Sequence, residues 1–570
     1  MKVQDLQAEL KAILEQYAQM ASDAEQALFK KMLNLIEHMA AEIEELKGKV
    51  QELRDENNHL KGEQGKPDIK ANKRQAQDIS SETERRQAEA DADAGAGEVD
   101  KDANGKKKRN RESKLAKVKI DREQICPLVK DGLPADLEFK GYEDVVIQDL
   151  IIKTDNVKYR REIYYSPSQK RTYSGQLPDA VRGQGGFGPG IRSLIPILKT
   201  EGGMSEKRIL EFFQNFGVEI SPAYISQQWT GGYELFHQEK SDLYRAGIAA
   251  SEYVQIDDTS ARVNGINHYC QVVCSPLFTG YFTVPGKDRL SVLSVLTGLA
   301  PLNYLYNEQA RKLLDTFNLS GKARAAINTV LQPDAVMTED EFIDKFIEID
   351  GLGPRQGLHL AEACAIAYYR WQTDFPIIDI LVADDAPQFK LITEHLSLCW
   401  VHDGRHYKKL SPIVSAHQTA LTDVRGEYWS YYTELLKYKK APTVEQKTRL
   451  DKEFDKVFST ATGYDDLDDR ITKTLAKKAE LLLVLEHPKL PLHNNAAELG
   501  ARVQARVRDV SFQTRSTGGT KIKDTFMTIN QTAKKLGVSF FEHVFDRVSG
   551  AFKLPSLADL ITSKARSLAI

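Results

Sequence analysis

The sequence predicts a multidomain α/β protein, and three observations lead there. Two apolar runs, residues 253–256 and 377–383, have strand character and each runs into an acidic pair. Long stretches between and after them switch to helical spacing of apolar residues. Ahead of them stand a heptad-patterned helix, a polar linker and a short alternating segment. The chain has 570 residues, enough for several domains, with 41% hydrophobic and 28% charged residues. No apolar run approaches the roughly 20 residues of a membrane helix, and the polar start, MKVQDLQAEL, is no signal peptide. Five cysteines, Cys126, Cys270, Cys274, Cys364 and Cys399, are too sparse for a disulfide framework and suit a reducing cytoplasm. The net charge of −3 means that any affinity for nucleic acid has to come from local basic patches.

Residues 1–61 read as a dimerisation helix. Ile36, Ile43, Val50 and Asn57 recur at one heptad position, and Met39, Leu46, Leu53 and Leu60 at the other. β-branched residues at the first and leucines at the second favour two parallel strands, with a lone Asn fixing register. The alternative is an amphipathic helix folded back on the body of the protein. Residues 62–120 read as a linker with too few large apolar residues to fold alone, ending in a basic run that includes Lys106, Lys107, Lys108 and Arg109. That run is either a solvated charge cluster or a contact to phosphates.

Residues 121–190 are expected to form a small β-rich module, with strands from DVVIQDLIIK and YRREIYYS around a TDN turn. The Gly-rich stretch 182–190 lacks the GK[ST] ending of a phosphate loop and reads as a flexible joint. Residues 191–245 carry a helix-turn-helix candidate. Ser205 opens the first helix, Gly217 ends it, and Ser221-Pro222 opens the second. On that second helix Tyr224, Gln227 and Gln228 are expected to face outward, toward DNA, with Ile225 and Trp229 inward. An ordinary helical hairpin is the competing reading.

The chemistry-bearing residues lie in 246–550. Asp257 and Asp258 end the first strand of an expected antiparallel meander over 253–284, and Asp384-Asp385 follow the strand at 377–383. Asn494 or Asn495 is expected to cap a helix carrying Glu498 in its first turn, with Arg502 and Arg506 along the same face. Carboxylates at strand ends are hard oxygen ligands of the kind Mg²⁺ takes, and arginines beside them can hold a phosphate backbone. Taken alone, three acids among 81 are weak evidence.

Four ordered motifs strengthen it. IDDTSARV at 256–263, ILVADDAPQF at 380–389 with Cys399-Trp-Val-His402 downstream, His493-Asn-Asn-Ala-Ala-Glu498, and the block 512–537 together resemble the transposases of the insertion sequence sixty-six family, TnpC type. The resemblance covers residues 135 to the C-terminus. It implies an RNase H-like core with helical insertions and a DD(E) triad of Asp257, Asp384 and Glu498. Two Mg²⁺ or Mn²⁺ ions would sit on that triad, with Asp258, Cys399, His402, Asn494 and Asn495 in support. Double-stranded DNA, both element ends and target, is the implied partner. The implied protein is a homodimer or higher oligomer at a bacterial nucleoid in the cytoplasm, with accessory proteins left open.

There are departures from the family pattern. Cys126 stands without the Cys-x-x-Cys module often found upstream, and 127 residues separate Asp257 from Asp384. The excess reads as a helical insertion at 302–368, and a second is expected at 411–485. Lysines at 408, 409, 437, 439 and 440 either grip DNA or are solvated. A zinc reading of Cys399, His402 and His406 lacks an evident fourth ligand, and Cys270 and Cys274 read as core. Residues 551–570 are expected to be a tail. The competing functions are an RNase H-like nuclease or resolvase without strand transfer, and a domesticated DNA-binding protein.

Overall fold

The computed structural model describes residues 23–60, 119–128 and 141–568. Contacts divide the chain into two units: Met1–Ile79 with Arg161–Glu211 and Ile220–Ile570, and Ser80–Arg160 with Phe212–Glu219. The larger unit is mixed α/β. Its centre is a five-stranded sheet of β3 (Val254–Val263), β4 (Ile266–Cys274), β5 (Thr279–Val284), β8 (Ile380–Ala383) and β9 (His395–Leu398), in the order β5-β4-β3-β8-β9. β4 pairs antiparallel with both β3 and β5, whereas β8 runs parallel to β3 and to β9. The remaining strands form two small pairs, β1 (Ile163–Ser166) with β2 (Arg171–Ser174), and β6 (Asn303–Leu305) with β7 (Val336–Thr338).

Alternation sends successive β3 side chains to opposite faces. Val254 and Ile256 enter the main core with Val273, Phe282 and helix residues such as Leu243, Val292 and Phe526. Ala261, Cys270, Val272 and Tyr281 point the other way, onto Ala501 of the helix Asn495–Ser511. Gly500 makes that approach feasible, since a Cβ there would lie 2.7 Å from Val272 Cγ1. Cys270 and Cys274 are fully buried, as core residues should be.

The edge of β5 is closed by side chains of the helix Thr517–Leu536. Asp524, Thr528 and Thr532 accept from the backbone N–H groups of Thr283, Tyr281 and Thr279 at 2.6, 3.0 and 3.2 Å. One turn of helix rises about 6 Å per four residues and two strand residues span about the same, so the periods match. The free edge is thereby satisfied without another strand.

Both helical insertions are present. The first contains the helices Glu308–Thr316, Gly321–Val330, Glu339–Ile347 and Pro354–Trp371, together with the β6–β7 pair. The second contains Ser415–Lys440, Val444–Val457 and Asp465–Leu475, and packs with the helix Trp400–Lys409 around an aromatic cluster of its own.

Several expectations are corrected. Residues 141–160 hold no strand, and the hairpin falls instead on β1 and β2; Val145, Ile147, Leu150 and Ile151 stay exposed, so the segment has strand propensity without a surface to cover. The expected tail is the helix Leu557–Leu568, whose Leu557 and Ile561 are fully buried in the main core. Across the expected boundary at residue 245, Trp229 shares the main core with Phe526 and stacks on it with ring centres 5.9 Å apart.

The helix Asp23–Leu60 is there, and it does dock on the body through one flank. Asn34 donates to Gly463 O at 3.1 Å, and the Glu37 carboxylate accepts from the N–H groups of Ile413 and Val414. The heptad positions Met39, Ile43, Leu46, Val50 and Leu53 remain exposed. Of the linker and its basic run, residues 61–118, including Lys106, Lys107, Lys108 and Arg109, lie outside the described residues. No helix among the described residues is long and apolar enough to cross a membrane.

Candidate active site

The parallel register of β3 and β8 brings the two aspartates together. Val254 pairs with Leu381 and Gln255 with Val382. Two residues further along, Asp257 and Asp384 fall at the same level. They also share a face, because Gln255 and Val382 lie on the side away from the main core. The N-terminus of the helix Asn495–Ser511 is pinned above this point. Asn494 Nδ2 donates to Ile256 O at 2.7 Å, and Ala496 N donates to Gln255 Oε1 at 3.1 Å. Glu498, in the first turn, thus faces the pair.

Burial pushes the Asp257 carboxyl up to about 7, and the charges of Asp384 and Glu498 add to the rise. Asp257 Oδ1 accepts from Asp258 N at 2.9 Å, which opposes it. Asp258 points to the other face, where its Oδ2 accepts from Gln388 Nε2 at 3.2 Å. The register thus distinguishes Asp257 from its neighbour. Asp385 is likewise set apart from Asp384: Lys390 lies 2.7 Å from its Oδ1 and Lys477 binds its other oxygen. Asp384 Oδ1 accepts from Ala386 N at 3.1 Å.

Cys399 and His402 approach from the end of β9. Ala383 pairs with Leu398, so Cys399 stands next to Asp384 in the sheet order, and its Sγ accepts from Asn494 N at 3.3 Å. His402 Nδ1 lies 3.7 Å from Glu498 Oε1, and Arg405 Nη2 lies 3.6 Å from Glu498 Oε2. Arg405 Nη1 also donates to His402 Nε2 at 2.9 Å, which leaves the ring proton on Nδ1, toward Glu498. Burial and then Arg405 lower the His402 pKa. Arg405 had no role in the sequence reading, though its position three residues after His402 on one helix was a usable signal.

No family model matches the chain. Over 330 residues it is 32% identical to a protein of Sinorhizobium fredii (strain NBRC 101917 / NGR234) named Uncharacterized protein y4jO, and the match covers 57% of this chain and all of that protein. The chain belongs to the family of that protein. The relative's name states no activity, so for this family the site has to be read from its own geometry.

The fold brings Asp257, Asp384, Glu498, Cys399, His402 and Asn494 into one neighbourhood, with Asp384 and Glu498 near enough for their charges to act on Asp257. Asn494 caps the helix by position only, since its side chain reaches β3 rather than a helix N–H. Arg502 and Arg506 are exposed further along the same helix. Among the described residues one group brings metal-ligand atoms together: Cys399, His402 and Glu498, all within 4.8 Å of one another. His406 is not part of it.

The DNA-reading residues fare differently. Ser221 caps the helix Pro222–Thr230, accepting from Tyr224 N at 3.2 Å, and Ile225 and Trp229 are buried as expected. Gln227 is exposed and Gln228 half-buried. Tyr224 is turned away: its hydroxyl donates to Gln184 O at 2.9 Å and its ring packs on Phe187 and Gly185. The Gly-rich joint thus has a fixed contact, and Tyr224 is spent on it. Lys437 pairs with Glu434 at 2.6 Å and Lys439 donates to Leu490 O, so these two lysines are committed locally.

Proposed function

We propose that the chain is a DD(E) transposase of the insertion sequence sixty-six type, with an RNase H-like core that cleaves and joins DNA. The observation that carries the reading is the register of Asp257 and Asp384 on adjacent parallel strands, with Glu498 facing them from a helix. The sheet order, with β4 alone reversed, agrees with such a core. The site also fits divalent cations. Glu498 Oε1 is buried with no hydrogen-bond partner, and Asp257 is pushed up to about 7 partly by the other two acids. A carboxyl pushed up first by burial and then by two neighbouring acids is ionised at a cost that a cation offsets.

Asp257, Asp384 and Glu498 would hold Mg²⁺ or Mn²⁺. Such ions supply an activated water and charge stabilisation for the leaving oxygen in phosphodiester chemistry. The chain's own residues do the positioning. Asn494 and Gln255 lock the helix that carries Glu498 to the strand that carries Asp257. His402 and Arg405 hold the Glu498 carboxylate from its other side. Arg502 and Arg506 offer cations to a DNA backbone along the exposed helix face.

The test uses duplexes bearing the terminal repeats that flank the gene, with Mg²⁺ or Mn²⁺. D384N and E498Q, which keep shape and remove charge, should each abolish end cleavage while the thermal melt is retained. Full cleavage by D384N would reject the triad. Cleavage without joining of the 3′-hydroxyl end to target DNA would favour a nuclease or resolvase instead.

A further inference from the structure

We propose that Cys399, His402 and Glu498 form a second kind of metal site, one for a thiophilic divalent ion such as Zn²⁺, which competes with the hard-cation site by taking Glu498. The three side chains come from two distant stretches of chain, the start of the helix Trp400–Lys409 and the first turn of Asn495–Ser511. Their ligand atoms lie within 4.8 Å of one another. Bond lengths of about 2.3 Å to sulfur and about 2.0 Å to nitrogen or oxygen put tetrahedral ligands roughly 3.3–3.6 Å apart. The 3.7 Å between His402 Nδ1 and Glu498 Oε1 is already close to that. No pair is more than 4.8 Å apart, so side-chain shifts of about 1 Å would complete the set.

Two of the three ligand atoms are left without a hydrogen bond. His402 Nδ1 and Glu498 Oε1 are both buried without a hydrogen-bond partner. A third buried atom without a partner, Asn494 Oδ1, belongs to a residue that is 1% exposed and whose backbone N–H donates to Cys399 Sγ. A thiol, an imidazole and a carboxylate are the ligands of a borderline-soft ion with a fourth position left for water; Mg²⁺ selects oxygen and leaves sulfur alone. Binding forms a metal–sulfur bond and sends the thiol proton to solvent. It also moves the imidazole proton from Nδ1 to Nε2, so Arg405 has to release Nε2. Arg405 is half exposed and has room to turn.

The binding claim stands by itself, whereas its effect on cleavage rests on the proposed function. Co²⁺ is the probe, because a thiolate ligand gives a charge-transfer band in the near ultraviolet and four-coordination gives intense visible bands. The full chain should show both. C399S should lose the charge-transfer band, H402A should weaken Co²⁺ binding at least tenfold, and C126S, which removes an exposed thiol, should change neither. R405Q should tighten binding, since it removes the donor competing for His402. X-ray absorption of the Zn²⁺-loaded wild-type chain should find one sulfur, a result that does not depend on any variant folding. No sulfur neighbour, or a band that survives in C399S, would overturn the site. If the proposed function holds, Zn²⁺ should inhibit Mg²⁺-dependent cleavage at least tenfold less in C399S than in wild type, each measured against its own zinc-free rate. Equal inhibition of the two would overturn the competition for Glu498. A chain that binds Co²⁺ as described but never cleaves DNA would leave the metal site standing and remove the transposase reading.

Discussion

The first helical insertion separates β5 from β8 and the second follows β9, and the two are built on different foundations. Residues of the first, among them Leu314, Ile327, Phe342 and Leu360, belong to the cluster that also holds β3, β4 and the helix Thr517–Leu536. The second has its own cluster, in which Trp400 is ringed by Tyr428, Tyr431, Tyr432, Phe454 and Phe458 with centres 5.4 to 6.4 Å away. Their polar ties differ in the same way. The first is tied by a buried pair, Arg289 with Glu362 at 2.6 Å, and Arg289 also donates to Lys390 O at 2.9 Å. The second reaches the site itself: Lys477 binds Asp385 and lies 3.5 Å from Asp403, which Arg470 also binds. An insertion that shares the central core is part of the scaffold. One with a second core, which meets the sheet at Leu398 of β9 and the site through charges, can adjust the site.

Two substitutions of similar size should break the comparison if it is wrong. Glu362→Ala strands the Arg289 charge in the core, and removing one partner of a buried pair costs about 3–5 kcal/mol. Trp400→Ala empties the centre of the second cluster, at about 3–5 kcal/mol. The costs match but their reach should not. In hydrogen exchange, Glu362→Ala should loosen the sheet together with residues 308–371. Trp400→Ala should loosen residues 415–475 and leave β3 to β5 protected. Identical exchange patterns would mean that the two insertions share one cooperative unit.

The site between them carries a cost of its own, and pH reveals it. Asp257 titrates near 7 in the folded chain against an ordinary 3.8, chiefly because it is buried. Between those values the folded state binds more protons than the unfolded one. Stability of the metal-free protein should therefore fall as pH rises through this window and level off above it. Asp257→Asn removes the effect, so in chelator it should stabilise the protein at pH 8 by at most about 4 kcal/mol, and hardly at all at pH 4. Denaturant melts at the two pH values measure this. No gain at pH 8 would mean that water reaches the Asp257 carboxylate in the folded chain and that its burial carries no such cost.

Local patterns were legible in the sequence, and long-range docking was not. Alternation and apolar runs located β3, β4, β5 and β8, because a period of two declares itself within a few residues; Asp384 follows the end of its strand as expected, whereas Asp257 lies inside β3. The choice of Asp257 over Asp258 needed the sheet, since only the pairing with β8 says which face meets the helix. The segment 144–153 failed in the opposite direction: its Val and Ile residues have strand propensity, but propensity does not supply a partner strand. Tyr224 was misread because a half-turn of helix does not reveal that Gly185 leaves a flat bed for its ring. The row Asp524, Thr528 and Thr532 was visible at i, i+4 and i+8, yet its role depends on a strand edge more than 240 residues away. The helix 557–568 was passed over as a tail because so short an amphipathic stretch gains its meaning only from the core it covers.

The N-terminal helix completes the contrast, because among the two insertions it is the second that it grips. Glu37 accepts from Ile413 N at 2.9 Å and Val414 N at 2.8 Å, the N–H groups that precede the helix Ser415–Lys440, and it meets His417 Nδ1 at 3.2 Å. It is a helix cap supplied from some 380 residues away. Its loss in Glu37→Ala should cost about 1 kcal/mol, as caps do. The opposite flank of the same helix takes no part in that grip, and there Ile43 is 50% exposed and Leu46 53%, at heptad spacing. If a second copy of the chain covers this flank, Ile43→Asp with Leu46→Asp should reduce the particle mass in light scattering, and leave the melt of the dissociated chain close to that of wild type. Glu37→Ala should do the reverse, lowering stability and leaving the mass alone. A double result of that kind would mean that one helix holds the second insertion with one face and a partner with the other, so that assembly reaches the acids through Lys477. A loss of mass in Glu37→Ala would instead tie assembly to the docked flank, and the exposed seam would then need no second copy.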